Sequence, residues 1–221
     1  MTGRELVSQI DSAIERRHLL KHRFYHKWLA GTLSRPKLQL YAAQYYWHVE
    51  AFPVHLKDLS GRTTGRLHDV VLENLAEEED PATPHAKLWR DFAASVGVNE
   101  ESLWFSAPLP GVETLLRIYR KICREHPAAE AVAALYAYEA QVPEIATSKI
   151  EGLRRHYGVT SKKGLAYFAV HEEADRLHRA AWRDWLKEST AVVEPDRVLA
   201  TTETALLALW GALDAVEEAA E

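Results

Sequence analysis

Apolar residues recur at helical spacing along nearly the whole chain, and no stretch alternates β-branched and polar residues between Asn-Gly turns. That pattern constrains the fold to a bundle of α-helices around one core. Helix-ending residues mark the breaks. Thr2-Gly3-Arg4-Glu5 reads as a capping box opening a first helix toward Leu20. A second helix runs from about Lys21 to Gly31, stopped by the glycine and then Pro36. Further helices are expected from Pro36 to about Leu59, Arg66 to Glu79, Pro84 to Val96, Gly111 to Glu125, Ala128 to Tyr157, Lys162 to Lys187 and Pro195 to Ala219. Two prolines fall inside these patterns. Pro143 cannot donate to the carbonyl of Glu139, nor Pro53 to that of Val49, so bends are expected at both places. Without repeats, low-complexity tracts or a long linker, the expectation is a single all-α domain over residues 1–221, with about eight or nine helices.

The composition narrows the function classes. A formal net charge of −5 argues against nucleic acid as a partner, because phosphate backbones call for a basic face. No uninterrupted apolar run approaches the roughly 18 residues of a membrane span. The start, Met1-Thr2-Gly3-Arg4-Glu5, lacks the apolar stretch of a signal peptide, so a cytoplasmic location is expected. Cys123, the single cysteine, rules out an internal disulfide and fits a reducing compartment. Its neighbours offer no catalytic arrangement, and it reads as a buried structural thiol.

The chemistry is concentrated in His171-Glu172-Glu173-Ala174-Asp175-Arg176-Leu177-His178. Spacing of i, i+4 and i+7 puts His171, Asp175 and His178 on one face of a helix, a set that can hold a divalent transition metal. More ligands are needed from other helices. Glu139 follows the apolar run Ala131-Val132-Ala133-Ala134-Leu135-Tyr136-Ala137-Tyr138, where a carboxylate is costly unless a cation or hydrogen bonds compensate it. Glu77, Glu78 and Glu79 end one helix, and His85 opens the next across the corner at Pro81 and Pro84. One of those glutamates, with His85 and Glu139, completes six candidates. Mixed nitrogen and oxygen ligation with open positions suits iron or manganese and O2 chemistry better than structural zinc. His18, His22 and His26 form a similar stripe. No carboxylate shares their face, and Lys21, Arg23 and Lys27 would repel a cation.

These motifs resemble the CADD family (Chlamydia protein associating with death domains) of haem-oxygenase-like dimetal oxidases. The resemblance spans nearly the whole chain. It is carried by Lys21-His22-Arg23-Phe24-Tyr25, Tyr41-Ala42-Ala43-Gln44-Tyr45-Tyr46, Asn74-Leu75-Ala76-Glu77-Glu78-Glu79 with His85, Tyr138-Glu139-Ala140-Gln141, Ser148-Lys149-Ile150-Glu151-Gly152-Leu153 and the His171, Asp175, His178 face. It selects Glu78 as the sixth ligand and implies a haem-oxygenase-like bundle, of the type of TenA and pyrroloquinoline-quinone synthase, without haem. It further implies two metals (Fe/Fe or Fe/Mn), O2 with an external reductant, and a homodimer. The family's implied product is p-aminobenzoate for folate biosynthesis, its ring cut from a tyrosine of the protein and its nitrogen drawn from a lysine. The matching residues here are Tyr25 and Lys149.

Two more phenols lie near the ligands: Tyr167 one helical turn before His171, and Tyr138 beside Glu139. Read without the resemblance, all three tyrosines are core aromatics with bonded hydroxyls and Lys149 is a surface lysine. Three other functions stay open at this stage. One is a dimetal oxidase acting on an external small molecule, fatty-acid or amino-acid-derived, with the stripe Tyr41, Tyr45, His48 and Phe52 lining its channel. The second is a cofactor-free oxidase of the pyrroloquinoline-quinone-synthase type. The third is a non-catalytic metal-buffering or interaction protein.

Overall fold

The computed structural model describes residues 1–189 and 194–220, so of the single domain expected over 1–221 only 190–193 and 221 lie outside the described residues. The described chain is helical, with no strand. Its helices are α1 (Gly3–Arg16), α2 (Arg23–Ala30), α3 (Arg35–Ser60), α4 (Gly65–Glu78), α5 (His85–Ser95) and α6 (Glu100–Phe105). They continue with α7 (Pro110–Glu125), α8 (Ala128–Glu139), α9 (Val142–His156), α10 (Lys162–Glu188) and α11 (Pro195–Glu218). The capping box is present: the Thr2 hydroxyl accepts from the Glu5 amide at 3.2 Å, and the Thr2 amide donates to the Glu5 carboxylate at 2.7 Å.

Three differences from the sequence expectations have simple physical origins. The first helix stops at Arg16, and a 3₁₀ turn (Leu19–Lys21) precedes α2. His18 and His22 therefore cap the starts of the 3₁₀ turn and of α2, accepting from the amides of Leu20 and Phe24, and do not share one helix face with His26. The helix expected from Ala128 to Tyr157 is two helices. Pro143 does more than bend it: the chain leaves the helix at Ala140 and Gln141, and Pro143 sits in the first turn of α9, where its missing N–H costs nothing. Pro53, by contrast, stays inside the continuous α3. Finally, α6 has six residues, too short to show a period, and its Asn99 cap accepts from the Ser102 amide.

The apolar α8 is buried on every side from Glu130 to Glu139 and packs against α7, α10 and α11. The other central helix, α10, packs against α4, α5, α8 and α9. Their contact places the last residue of α8, Glu139, beside the middle of α10. The turn between α4 and α5 brings Glu78 and His85 to the same region. Among the described residues one helix, α11, is long and apolar enough to cross a membrane, with mean hydropathy 1.2 over its most apolar window, a feature that unbroken apolar runs alone do not show. Half of that window is buried against the bundle, including Leu206, Leu209 and Leu213.

Candidate metal centre

The six ligand candidates form two adjoining groups. In one, ligand atoms of Glu78, His85 and His171 lie within 4.8 Å of one another. In the other, those of Glu139, Asp175 and His178 do the same. The rings of His85 and His171 are 4.4 Å apart between centroids. All six side chains are buried except for the edge of Glu78, which borders solvent.

The hydrogen bonds hold these side chains so that lone pairs point inward. His171 Nδ1 donates to the Tyr167 carbonyl at 2.6 Å, which fixes the tautomer and leaves Nε2 as a lone-pair donor. Glu139 accepts from Asn74 Nδ2 at 2.7 Å and from the Trp182 indole N–H. His85 Nδ1, Asp175 Oδ2 and His178 Nε2 have no hydrogen-bond partner. Glu78 Oε2 lies 3.0 Å from His85 Nδ1, and Glu77 Oε2 lies 3.2 Å from His178 Nε2, both outside hydrogen-bond alignment. Buried polar atoms left without partners are costly. Lone pairs converging without intervening hydrogens are what a cation needs, so this set fits a metal pair.

The electrostatics agree. Burial pushes the carboxyl groups of Glu139 and Asp175 above the usual carboxylate range, since each is kept from water until a cation compensates it. Burial, reinforced by His85, holds His171 far below the ordinary histidine value and therefore neutral. For His178 burial acts the same way, but contact with Asp175 and the charge of Glu139 outweigh it and lift the imidazole to about 9.

A second chamber adjoins the metal centre. Lys149, on α9, is only 3% exposed, and its Nζ donates to the Tyr41 hydroxyl. Among the described residues no carboxylate pairs with it. Instead Nζ lies 4.9 Å from the ring centroids of both Tyr41 and Tyr45, and 5.7 Å from that of Tyr25. Burial lowers the amine to about 7. Tyr25 is 2% exposed, on α2, with its hydroxyl bonded to that of Tyr41. The Tyr45 and Tyr138 hydroxyls are 2.6 Å apart, Tyr138 also bonds the Tyr167 hydroxyl, and the Tyr167 ring lies 4.1 Å from that of His171. Tyr25, Tyr45, Tyr138, Lys149, Tyr167 and His171 all line one cavity of about 20 Å³.

The fold thus brings all ten sequence-selected residues into one connected region. It adds Asn74, Trp182, Tyr41 and Tyr45. The first two carried a legible signal: Asn74 lies one turn before Glu78, and Trp182 one turn after His178, each on the ligand face. Tyr41 and Tyr45 stood out as members of a stripe, but their contact with Lys149 depends on how α3 meets α9.

Comparison with known proteins agrees with this geometry. A family described as iron-containing redox enzymes, haem-oxygenase-like, matches residues 39–210. A 4-aminobenzoate synthase of Chlamydia pneumoniae is 38% identical, over 94% of this chain and 92% of its own. A second, from Nitrosomonas europaea, is also 38% identical, over 99% of this chain and 93% of its own. A solved CADD-like protein from Nostoc punctiforme has the same fold, with a TM-score of 0.82 at 17% identity and 99% coverage of both chains. The chain belongs to the haem-oxygenase-like family of iron-containing redox enzymes.

Proposed function

We propose that this protein is a 4-aminobenzoate synthase that uses O2 and two transition metals, takes the aromatic ring of its product from its own Tyr25, and takes the nitrogen from Lys149. Glu78, His85 and His171 would hold one metal, and Glu139, Asp175 and His178 the other. When bound, the pair supplies reductive activation of O2, with electrons from an external reductant. The first set, with two imidazoles, suits iron; the second, with two carboxylates, suits iron or manganese.

The chain's own groups prepare the rest. Tyr25 is held against Tyr41, sealed from water and within reach of the cavity that ends at His171. Tyr167 and Tyr138 form a hydrogen-bonded phenol pair between the ligands and Tyr45, so a proton lost at one hydroxyl has an oxygen acceptor beside it. Lys149 carries its amine into this chamber with no counter-ion among the described residues. Near pH 7 a substantial fraction is the neutral amine, the nucleophilic form.

The carrying observation is the placement of Lys149: a buried amine with no anion beside it among the described residues, surrounded by phenols that include Tyr25, in the cavity that reaches the candidate metal ligands. The two relatives named 4-aminobenzoate synthase support the same reading. A cavity of about 20 Å³ has room for about one water-sized molecule, too little for a benzoate-sized or fatty-acid guest. The test is a count. Purified protein supplied with metals, reductant and O2 is expected to yield no more than one p-aminobenzoate per chain, with a mass change confined to the Tyr25 and Lys149 peptides. Many products per chain, with both peptides intact, would select an oxidase acting on an external substrate.

A further inference from the structure

A second cavity, also of about 20 Å³, lies on the other side of Tyr25, between α3, α7 and α11. Leu115, Leu209, Ala212 and Leu213 form its apolar wall. Leu19, Tyr25 and Tyr45 border both this cavity and the one that reaches Lys149 and His171, so three side chains separate the two.

Its size alone admits water, since about 10–15 Å³ is enough for one molecule. The hydrogen-bonding inventory decides against it. Gln44, in the wall, spends its amide on Ser106 Oγ and the Ala107 carbonyl, both at 3.0 Å, while its oxygen accepts from the Leu109 amide at 2.7 Å. The Tyr25 and Tyr41 hydroxyls pair with each other, Tyr41 also receives the Lys149 amine, and Tyr45 is held by Tyr138. Among these wall groups only His48 is without a partner, both ring nitrogens being free and the side chain 1% exposed. Buried water needs roughly two to four polar partners, and one imidazole with diverging nitrogens does not supply them. Carbon-lined voids of this kind stay dry and take up apolar guests.

We propose that this cavity is a dioxygen site: an apolar antechamber that holds O2 next to Tyr25 and passes it between Tyr25 and Tyr45 to the chamber at His171. The assignment rests on the O2-using function proposed above. The gas is apolar and small, the void is apolar and small, and only the side chains of Leu19, Tyr25 and Tyr45 stand between it and the chamber at His171.

Crystals of the full chain pressurised with xenon test the site without any turnover. Xenon density in contact with Leu115, Leu209 and Leu213 is expected. An ordered water bonded to His48 in its place, or xenon bound elsewhere and not here, would overturn the proposal. In solution, Ala212→Leu fills the void from α11. The O2 concentration for half-maximal p-aminobenzoate formation is expected to rise about fivefold at unchanged metal content, and an unchanged O2 dependence in a folded, metal-loaded variant would count against the route. Xenon in the cavity of a protein that consumes no O2 would support the gas site and sink the oxygen-using function instead.

Discussion

The metal centre and the Lys149 chamber share a wall, yet they bury charge in opposite ways. In the metal centre three carboxylates and three imidazoles face one another, and burial drives Glu139 and Asp175 up, toward the protonated form. In the chamber one amine faces only phenols and rings, and burial drives it down, toward the neutral form. Desolvation acts alike on both, disfavouring whatever is charged. The difference lies in what would relieve it. The carboxylates are relieved by receiving a cation, while the lysine is relieved by losing its proton. The same physics therefore leaves a cluster of groups that could hold cations on one side of Tyr167 and an amine biased toward its neutral form on the other.

The comparison predicts separable defects. The largest concerns product: Tyr25→Phe and Lys149→Met should each lower p-aminobenzoate per chain by at least about 100-fold, the cost of removing a reacting group. Metal content should stay at wild-type level in both, measured on the same samples by mass spectrometry and elemental analysis. Loss of metal from Lys149→Met would break the division between the two regions.

Next comes stability. Metal at about a hundredfold excess over its Kd should stabilise the folded chain by about 2.7 kcal/mol, or roughly 5–10 °C in thermal midpoint for a chain of this size. In His178→Ala the rise should fall to half or less, with at least one metal lost, while Lys149→Met keeps the full rise. Calorimetry with and without chelator reads both, and an undiminished rise in His178→Ala would remove that residue from the ligand set.

How much of this was legible in the sequence follows the same division. The His171, Asp175, His178 face needed only helical spacing, and Glu139 stood out as a carboxylate ending an apolar run. The choice of Glu78 over Glu77 and Glu79 was not open to spacing, because the three are consecutive at the end of α4, Glu79 as its C-cap; the family resemblance supplied it. Lys149 was harder still. On α9 it is one charged side chain among Glu151, Arg154 and Arg155, and only the meeting of α9 with Tyr41 of α3 buries it. The apolar pattern continues across Ala140 and Gln141, so periodicity alone predicts a bend where the chain breaks into two helices. There the Gln141 side chain accepts from the Leu19 amide and donates to the Ala137 carbonyl, long-range and local contacts that no periodicity reveals.

A smaller effect is set by pH. The folded pKa of Lys149, about 7, lies below the ordinary 10.5. Between these values the unfolded chain holds a proton that the folded chain lacks, so this residue's contribution to stability rises as pH climbs through that window and is lost as pH falls. Product yield should rise from pH 6 to 8 as the amine becomes neutral. Lys149→Met should remove the corresponding part of the stability slope, measured by denaturation across that range, and an unchanged slope would contradict a buried, neutral amine.

The smallest expected effect lies outside both regions. Thr2→Ala removes the capping box of α1 and should cost about 1 kcal/mol, or roughly 2–4 °C, with metal content and product yield unchanged. A larger change in yield than in stability would mean that α1 communicates with the chamber.

The origin of the aromatic ring tests the central claim most directly. Protein produced with ring-¹³C tyrosine, then purified and given unlabelled metals, reductant and O2, should release p-aminobenzoate carrying the full ring label, in step with loss of the intact Tyr25 peptide. Unlabelled product, or labelled product with Tyr25 intact, would contradict the account.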